Sequence, residues 1–481
     1  MKKHRVFSFD ELCKSHQLDY TGDEVVAAMM QKSLTTTNSG PITVPRTSPL
    51  MLENMDGLMT EVLLTNQHFK LFNAIERVPS AGPYFEWNRH TAFGSRRGSI
   101  GFAEGGGPKG GVSAFSRHGI YNKYLGVRGG LTHQMLIAGQ NGGTIEDPET
   151  RENHDRALEL FERLEREVIF GNNDIKDASG NEVHFDGLLT LMAAQNAANI
   201  IDKQGAPLTF EDLDNGVVKL VKGGKQITVD GYTSYMSVHV TEGLNKMYQD
   251  RNIVRESKGG GTRTADYVPG FRVPGYDTQF GTLAFEHTLM LEEVADSAPL
   301  AAADSGAPAA PATVTTAAAS DATSKLAAAT YYYTVAAFND SGESLGLTTQ
   351  GQAITAGQKC TLTIADTTGA TGFRVYRGLE SDGSDAKWIG RVAKGTTTTT
   401  FVDQGGWLTQ DSSGGEQNGM AVIIKPDPRD LVMSQMAPLM KMPLPQSETT
   451  FPFLLLLYCA LVLKAPERVL IYKNCGKYTP A

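Results

Sequence analysis

The sequence has few cysteines, few aromatic residues and no long apolar run. Its 481 residues include four cysteines, and the aromatic share is 8%. The cysteines form no CxxC pair, and so few of them in a chain of this length are typical of a reducing compartment, with no disulfide framework. The longest apolar run, Phe453 to Leu463, is about half the length of roughly 20 residues that a membrane helix requires. The run therefore predicts a buried core element, and no membrane contact is expected. The N-terminal residues show no long apolar segment either, so no signal peptide is expected.

Recognisable catalytic and metal-binding patterns are also absent. The ten histidines form no HExxH or HxH cluster, so no metal or other cofactor is expected. The glycine run Gly105 to Gly111 lacks the Ser or Thr and the following helix of a phosphate loop. A GxSxG pattern surrounds Ser344, but it follows a predicted strand instead of opening a helix. A chance match in a turn is therefore favoured over a catalytic role for Ser344. The sequence does not predict an enzyme.

The chain is not strongly basic as a whole, yet residues 84–130 are. The net charge of the protein is −9, which argues against a coat that binds nucleic acid tightly. Residues 84–130 contain 12 of the 51 glycines, with seven basic and two acidic residues, a net of +5. Strand-like flanks around a glycine-rich centre predict a long, flexible β-hairpin.

A long acidic helix is predicted directly after this hairpin. Asp147 suits the N-cap, Pro148 suits the first helical position and Gly171 suits the end. Residues 146–170 hold nine acidic and four basic residues, a net of −5. A helix of this length spans roughly 35 Å. Its apolar stripe needs a surface to lie on, and its carboxylates could pair with a basic partner.

The remainder of the chain predicts an α/β unit interrupted by a β-rich insert. Residues 180–297 mix helical and strand patterns, with a capping box at Thr209 and strands at Ile227–Val229 and Gly281–Glu286. From Ala298 to Ala329 there are 15 alanines in 32 residues, which is typical of a linker. Short strands separated by turns then predict a β-sandwich up to about residue 419.

The order of these elements resembles the Hong Kong 97-type major capsid proteins of tailed phages. The resemblance depends on Leu158–Gly171, on Phe185–Leu189 and on Tyr458–Gly476, the last of which is similar to a helix–turn–strand return. Within the insert, Tyr332–Asn339 and Ala370–Gly378 resemble fibronectin III or immunoglobulin-like modules, and Thr400–Asp403 has the same pattern.

The resemblance implies an α+β Hong Kong 97-like fold with an inserted all-β, immunoglobulin-like sandwich. The implied parts are an N-terminal arm and lead-in helix at 1–83, an E-loop hairpin at 84–130, a P-domain at 131–179 with its spine helix at 147–170, an A-domain at 180–297, the insert with its linkers at 298–419, and a return to the A- and P-domains at 420–481.

The function that the resemblance implies is that of a major capsid protein, which self-assembles into an icosahedral shell around packaged double-stranded DNA. The expected partners are further copies in pentamers and hexamers, a portal, a separate scaffolding protein and DNA held without specificity. A host-surface glycan is a candidate ligand of an outward-projecting insert. The expected location is the virion capsid, assembled in the host cytoplasm.

The predicted site is a contact between subunits, in which a basic hairpin lies over the acidic helix of a neighbour. The basic residues are Arg89, Arg96, Arg97, Lys109, Arg117 and Lys123, and the facing carboxylates are Glu152, Asp155, Glu159 and Glu162. The alternatives are that the two elements pair with each other within one subunit, or that they are two unrelated solvated faces. Some relatives form a Lys–Asn crosslink, for which Lys109, Lys123 and Asn474 could be considered, but non-covalent packing is favoured.

Two other functions remain open at this point. The chain could be another virion structural protein, such as a tail-tube, baseplate or adhesion component. It could also be a hydrolase with a β-module that uses Ser344 as its nucleophile.

Overall fold

The computed structural model describes residues 64–94, 101–107, 110–141, 147–173, 181–251, 273–291, 297–408, 419–446 and 449–479. The predicted helix at Asp23–Lys32 and most of the one predicted over 51–72 lie outside these ranges. Among the described residues the α-helices are α1 (Lys70–Ala74), α2 (His133–Gln140), α3 (Pro148–Phe170), α4 (Leu188–Asn196), α5 (Phe210–Gly224) and α6 (Val238–Arg251).

Strands outnumber helices, and the mixture confirms the predicted α+β class. Before the insert the strands are β1 (Glu76–Pro79), β2 (Tyr84–Phe93), β3 (Ser113–Tyr121), β4 (Lys123–Thr132), β5 (Ile200–Asp202), β6 (Tyr232–Met236), β7 (Gly275–Thr278) and β8 (Gly281–His287). The insert holds β9 (Val314–Ser320), β10 (Ala329–Asn339), β11 (Gly342–Glu343), β12 (Leu347–Thr348), β13 (Gln352–Ile354), β14 (Gln358–Ala365), β15 (Gly372–Gly378), β16 (Lys387–Ala393) and β17 (Thr398–Asp403). The chain then forms β18 (Gly419–Ile424), β19 (Leu431–Pro443), β20 (Thr450–Leu463) and β21 (Leu470–Cys475).

A four-stranded sheet in the order β1-β19-β20-β4 supports the long helix α3. The apolar run Phe453–Leu463 lies in β20 and is buried for most of its length, as predicted. The expected helix in the return Tyr458–Gly476 is wrong, because the segment is strand, short 3₁₀ turn and strand. Most residues of β20 are buried and its sequence is continuously apolar, so the sequence does not show the strand period.

A six-stranded sheet in the order β5-β21-β18-β6-β8-β7 forms the second body layer with α5 and α6. The predicted capping box is present, because the Thr209 and Asp212 side chains each accept from the other residue's backbone amide. The predicted strand at Ile227–Val229 is wrong. Those residues lie in the connection after α5, and the strand begins after Gly231, which turns the chain at a φ of +81°.

The insert contains two antiparallel sheets that share one buried core. One sheet follows the order β11-β10-β15-β16, with β12 and β13 also paired to β10, and the other follows β17-β14-β9. Tyr333 and Val335 on β10 and Leu362 and Ile364 on β14 are fully buried within the same apolar cluster. On β14 these residues alternate with the partly exposed Thr361 and Thr363, as expected for a strand with one inner and one outer face. On β10 the neighbouring Thr334 and Ala336 are also buried.

Candidate inter-subunit surface

The predicted hairpin is present as a two-stranded antiparallel ribbon. Strands β2 and β3 pair from Tyr84 and Tyr121 at the base to Phe93 and Ser113 towards the tip. In the ranges that the structure describes, no third strand pairs with either of them. Because an isolated two-stranded ribbon is marginally stable in water, it depends on contacts with other parts of the protein or with a partner.

One face of the ribbon lies against the chain's own body. Phe85, Trp87 and Arg89 alternate along β2 on this face and are half-buried. The Arg89 guanidinium donates through Nε to the Lys464 carbonyl at 2.8 Å and through Nη2 to the Gln195 side-chain oxygen at 3.1 Å. Arg89, which was predicted to contact a neighbour, therefore has partners within its own chain.

The opposite face of the ribbon exposes aromatic side chains. The Tyr84 and Tyr121 rings lie 4.6 Å apart near the base, and the His90 and Phe115 rings lie 4.5 Å apart further along. Phe115 is 71% exposed and Tyr121 is 61% exposed. Grouped exposed apolar side chains of this kind mark interaction surfaces. The charges of residues 84–130 do not reveal this face, although its period-2 pattern is visible in the sequence.

The predicted basic residues are distributed unevenly. Arg117 is exposed on the aromatic face, and its Nη1 lies 3.7 Å from the Glu86 carboxylate. Lys123 is not part of the ribbon, because the chain turns at Asn122 and enters β4. Its Nζ lies 3.2 Å from the Glu182 carboxylate, and the residue is buried. Three further predicted residues lie outside the described ranges: Arg96, Arg97 and Lys109.

The acidic helix begins and ends where the sequence predicts. The Thr150 hydroxyl and amide donate to the Asp147 carboxylate, and these hydrogen bonds lower the pKa of Asp147. Leu160, Leu164 and Val168 are buried on the face that packs against β4 and β20. The apolar stripe therefore lies on the four-stranded sheet, and the four predicted carboxylates of the helix stay partly exposed.

Each of the four predicted carboxylates has an arginine partner on its own helix. The pairs are Glu152 with Arg156 at 2.9 Å, Asp155 with Arg151 at 3.1 Å, Glu159 with Arg163 at 2.5 Å and with Arg156, and Glu162 with Arg166 at 3.2 Å. These four acidic and four basic residues balance in charge, so the net of −5 comes from the other acidic residues of 146–170. Pairs of this kind contribute about 0.5 kcal/mol or less each, so they can exchange or share partners at small cost.

A fifth carboxylate of the helix, Glu165, points inward. It is fully buried and accepts hydrogen bonds from the backbone amides of Leu71 at 2.9 Å and Phe72 at 2.7 Å, at the start of α1. Burial raises the pKa of Glu165 to about 7, against the two amide hydrogen bonds that lower it. Glu165 is not among the residues predicted from the sequence. Its position between Leu164 and Val168, inside the apolar stripe, was the available signal.

The candidate nucleophile Ser344 is buried inside the insert. Its Oγ accepts from the Ala337 amide at 2.8 Å and donates to the Leu345 carbonyl at 3.1 Å. The hydroxyl therefore connects backbone segments of β10 and its neighbour, in the turn that the sequence favoured. Among the residues that the structure describes, no three His, Cys, Asp or Glu side chains are grouped to hold a metal ion.

The lysine and asparagine considered for a crosslink have internal partners where the structure describes them. Lys123 contacts Glu182, as stated above. Asn474 is fully buried, and its side chain bonds to Asp202, Gly406 and Leu408. In the described part of the chain, no helix is both long and apolar enough to cross a bilayer.

Comparisons with known proteins give relatives among phage capsids. The major capsid protein of Staphylococcus phage S25-3 is 24% identical over 440 residues, which is 88% of this chain and 90% of that protein. The major capsid protein of Staphylococcus phage K matches with the same identity and coverage. No family model matches the chain.

Solved capsid structures also align along most of the chain. The capsid of Myoviridae phage XM1 gives a TM-score of 0.43 at 10% identity and covers 91% of this chain and 100% of that one. The capsid of a native GTA particle gives 0.43 at 8% identity, with 89% and 96% covered. On the sequence relatives, the chain is a homologue of the major capsid proteins of Staphylococcus phages and a structural, non-enzymatic protein of the virion capsid, as predicted.

Proposed function

We propose that many copies of this chain assemble through the hairpin into an icosahedral shell that encloses packaged double-stranded DNA. The observation that carries the proposal is the β2–β3 ribbon, which pairs with no third strand in the described ranges and exposes aromatic side chains on one face. A surface of this type becomes stable when another subunit covers it.

The contact that we propose places the hairpin of one subunit over α3 of its neighbour. Tyr121 and Phe115 supply apolar area, while Arg117 reaches the helix network, joined by Arg96, Arg97 and Lys109. Because the pairs on α3 are weak and partly exposed, an incoming arginine can share Glu159 or Glu162 with the helix's own arginines. Charge complementarity then sets register and speeds encounter more than it raises affinity.

Within the shell we propose a Hong Kong 97-like arrangement with the predicted boundaries. The support for it is the order of elements: a hairpin, a long helix on a four-stranded sheet, and a second α/β layer that β21 completes. Residues 298–419 would form an immunoglobulin-like or fibronectin III-like module on the outer surface, where a host glycan could bind. The two sheets that share one core support a sandwich architecture.

The remaining proposed partners follow from this arrangement. A portal and a separate scaffolding protein would direct assembly in the host cytoplasm, into pentamers and hexamers. The packaged DNA would be held without specific contacts, since the chain's net charge of −9 disfavours tight binding.

Negative-stain electron microscopy of the purified full chain tests the proposed function. Closed shells or rings of five and six subunits are expected. Tubes would favour a tail component instead. Single particles of about 52 kDa at high protein concentration, with or without coexpressed scaffolding protein, would contradict assembly.

A further inference from the structure

The C-terminal end of α3 lies against the insert. The Phe170 ring, in the last residue of the helix, contacts Trp388 of β16 at 6.2 Å and Trp407 of the exit segment at 6.1 Å, both edge to face. Two of the three tryptophans in the chain therefore meet at one helix end. Aromatic pairs in this geometry contribute beyond the area that they bury.

The insert also supplies a cation to that helix end. The Arg391 guanidinium donates to the Phe170 carbonyl at 3.1 Å. The last turn of α3 contains no basic residue of its own. The final carbonyls of a helix lack partners within it and carry the negative end of its dipole, so a cation there is stabilising. Arg391, which lies on β16 of the insert, therefore supplies the cation that the last turn of α3 lacks.

A buried ion pair holds the chain where it leaves the insert. Arg377 and Asp403 are each 3% exposed, and Arg377 Nη1 lies 2.7 Å from the Asp403 carboxylate. Arg377 also donates to the Trp407 carbonyl, and the Asp403 carboxylate accepts from the Gly405 amide at 2.9 Å. The segment that carries Trp407 is thus fixed from the core of the insert.

The body holds the same segment from the other side. The Asn474 side chain accepts from the Leu408 amide at 2.9 Å and donates to the Gly406 carbonyl at 3.2 Å. Lys473 Nζ donates to the same carbonyl at 3.0 Å. Asn474 has a φ of +54°, which is uncommon for a residue with a side chain and is maintained by these contacts.

We propose that the insert stabilises the body. In this proposal Arg391, Trp388 and Trp407 fix the C-terminal end of α3 and set the orientation of the insert on it. The insert therefore has a structural role in addition to any role at the outer surface. Removal of residues 298–408 would leave the end of α3 without its cap, so the body without the insert is less stable than the intact chain.

Hydrogen–deuterium exchange on the unassembled full chain tests whether the insert stabilises the end of α3. Arg391→Met keeps the length and apolar stem of the side chain and removes the hydrogen bond to Phe170. We expect the amides of residues 168–171 to exchange about tenfold faster, as loss of a hydrogen bond from a charged group implies. Trp407→Leu should accelerate the same amides without changing a charge.

Lys359→Met is the matched control, because Lys359 pairs with Asp321 at 3.2 Å within the insert. It should leave residues 168–171 at the wild-type rate. The proposal is overturned if Arg391→Met and Trp407→Leu leave these amides unchanged, or if Lys359→Met accelerates them equally. The measurement needs no shell, so its outcome is independent of the proposed assembly.

Discussion

A single residue, Glu165, makes the stability of the body depend on pH. Burial raises the pKa of its carboxyl from 4.5 to about 7. Between these values the folded state holds a proton that the unfolded state has lost. The free energy of unfolding should therefore fall as pH rises from about 4.5 to about 7, by up to about 3 kcal/mol.

Urea unfolding of the unassembled chain at several pH values measures this effect. Glu165→Gln cannot ionise, so its unfolding free energy should lack this contribution, and the wild-type and variant curves should converge or cross across the window. Parallel curves between pH 4.5 and pH 7 would show that the buried carboxyl does not titrate there.

Residues that begin a helix could be predicted from the local sequence, but the hydrogen-bond partners of distant side chains could not. The N-cap Asp147 and the capping box at Thr209 follow from local chemistry and are present. The partners of Arg89, Lys123 and Glu165 are 59 to 375 residues away in sequence, and no local pattern encodes them. A charge count over a segment likewise could not show that the acids of α3 are paired with its own arginines.

The hairpin is the element on which assembly depends in this account. Phe115→Ser combined with Tyr121→Ser removes two exposed aromatic side chains of the ribbon without changing a buried core residue. We expect shells to be lost while the circular dichroism spectrum and the unfolding midpoint of the single subunit stay near wild type. Ile227→Ser is the matched control, since Ile227 is 90% exposed but lies far along the chain from the ribbon; shells should persist. Normal shells from the double variant would exclude the aromatic face as a contact.

Charge reversal separates the ionic part of the same contact. Replacement of Arg96, Arg97 and Lys109 by Glu should slow or block assembly, and the effect should weaken at high salt because the charges are screened. Sedimentation through a density gradient at two salt concentrations measures it. Unchanged assembly at low salt would refute charge pairing with a neighbouring helix and would leave the aromatic contact intact.

Helix α3, whose apolar residues recur with the helical period, was predicted correctly. The largely buried strand β20, whose sequence has no such period, was not. Helix α3 has one apolar stripe and was located from residue 147 to residue 170. Strand β20 is mostly buried and its leucine-rich sequence gives no strand period, so the part from Tyr458 was assigned to a helix. The six residues of β18 are all buried and also show no period.

At the scale of the whole molecule, the sequence predicts a body interrupted by a β-rich insert, and the structure adds how the two are joined. Trp388, Trp407 and Arg391 lie far from Phe170 along the chain, so their meeting at the end of α3 depends on the tertiary fold. The alanine-rich segment Ala298–Ala329, predicted as a linker, contains strand β9 (Val314–Ser320), which pairs with β14 inside the insert. At the other end of the insert, Asn474 and Lys473 of the body bond to the exit segment.

A cryo-electron microscopy reconstruction of the assembled particle would show whether the hairpin of one subunit covers α3 of its neighbour. We expect residues 84–121 of one subunit to cross onto α3 of an adjacent subunit, with Phe115 and Tyr121 covered and Arg117 near Glu159 or Glu162. A shell in which this ribbon contacts only its own chain, or leaves its aromatic face in solvent, would refute the proposed contact.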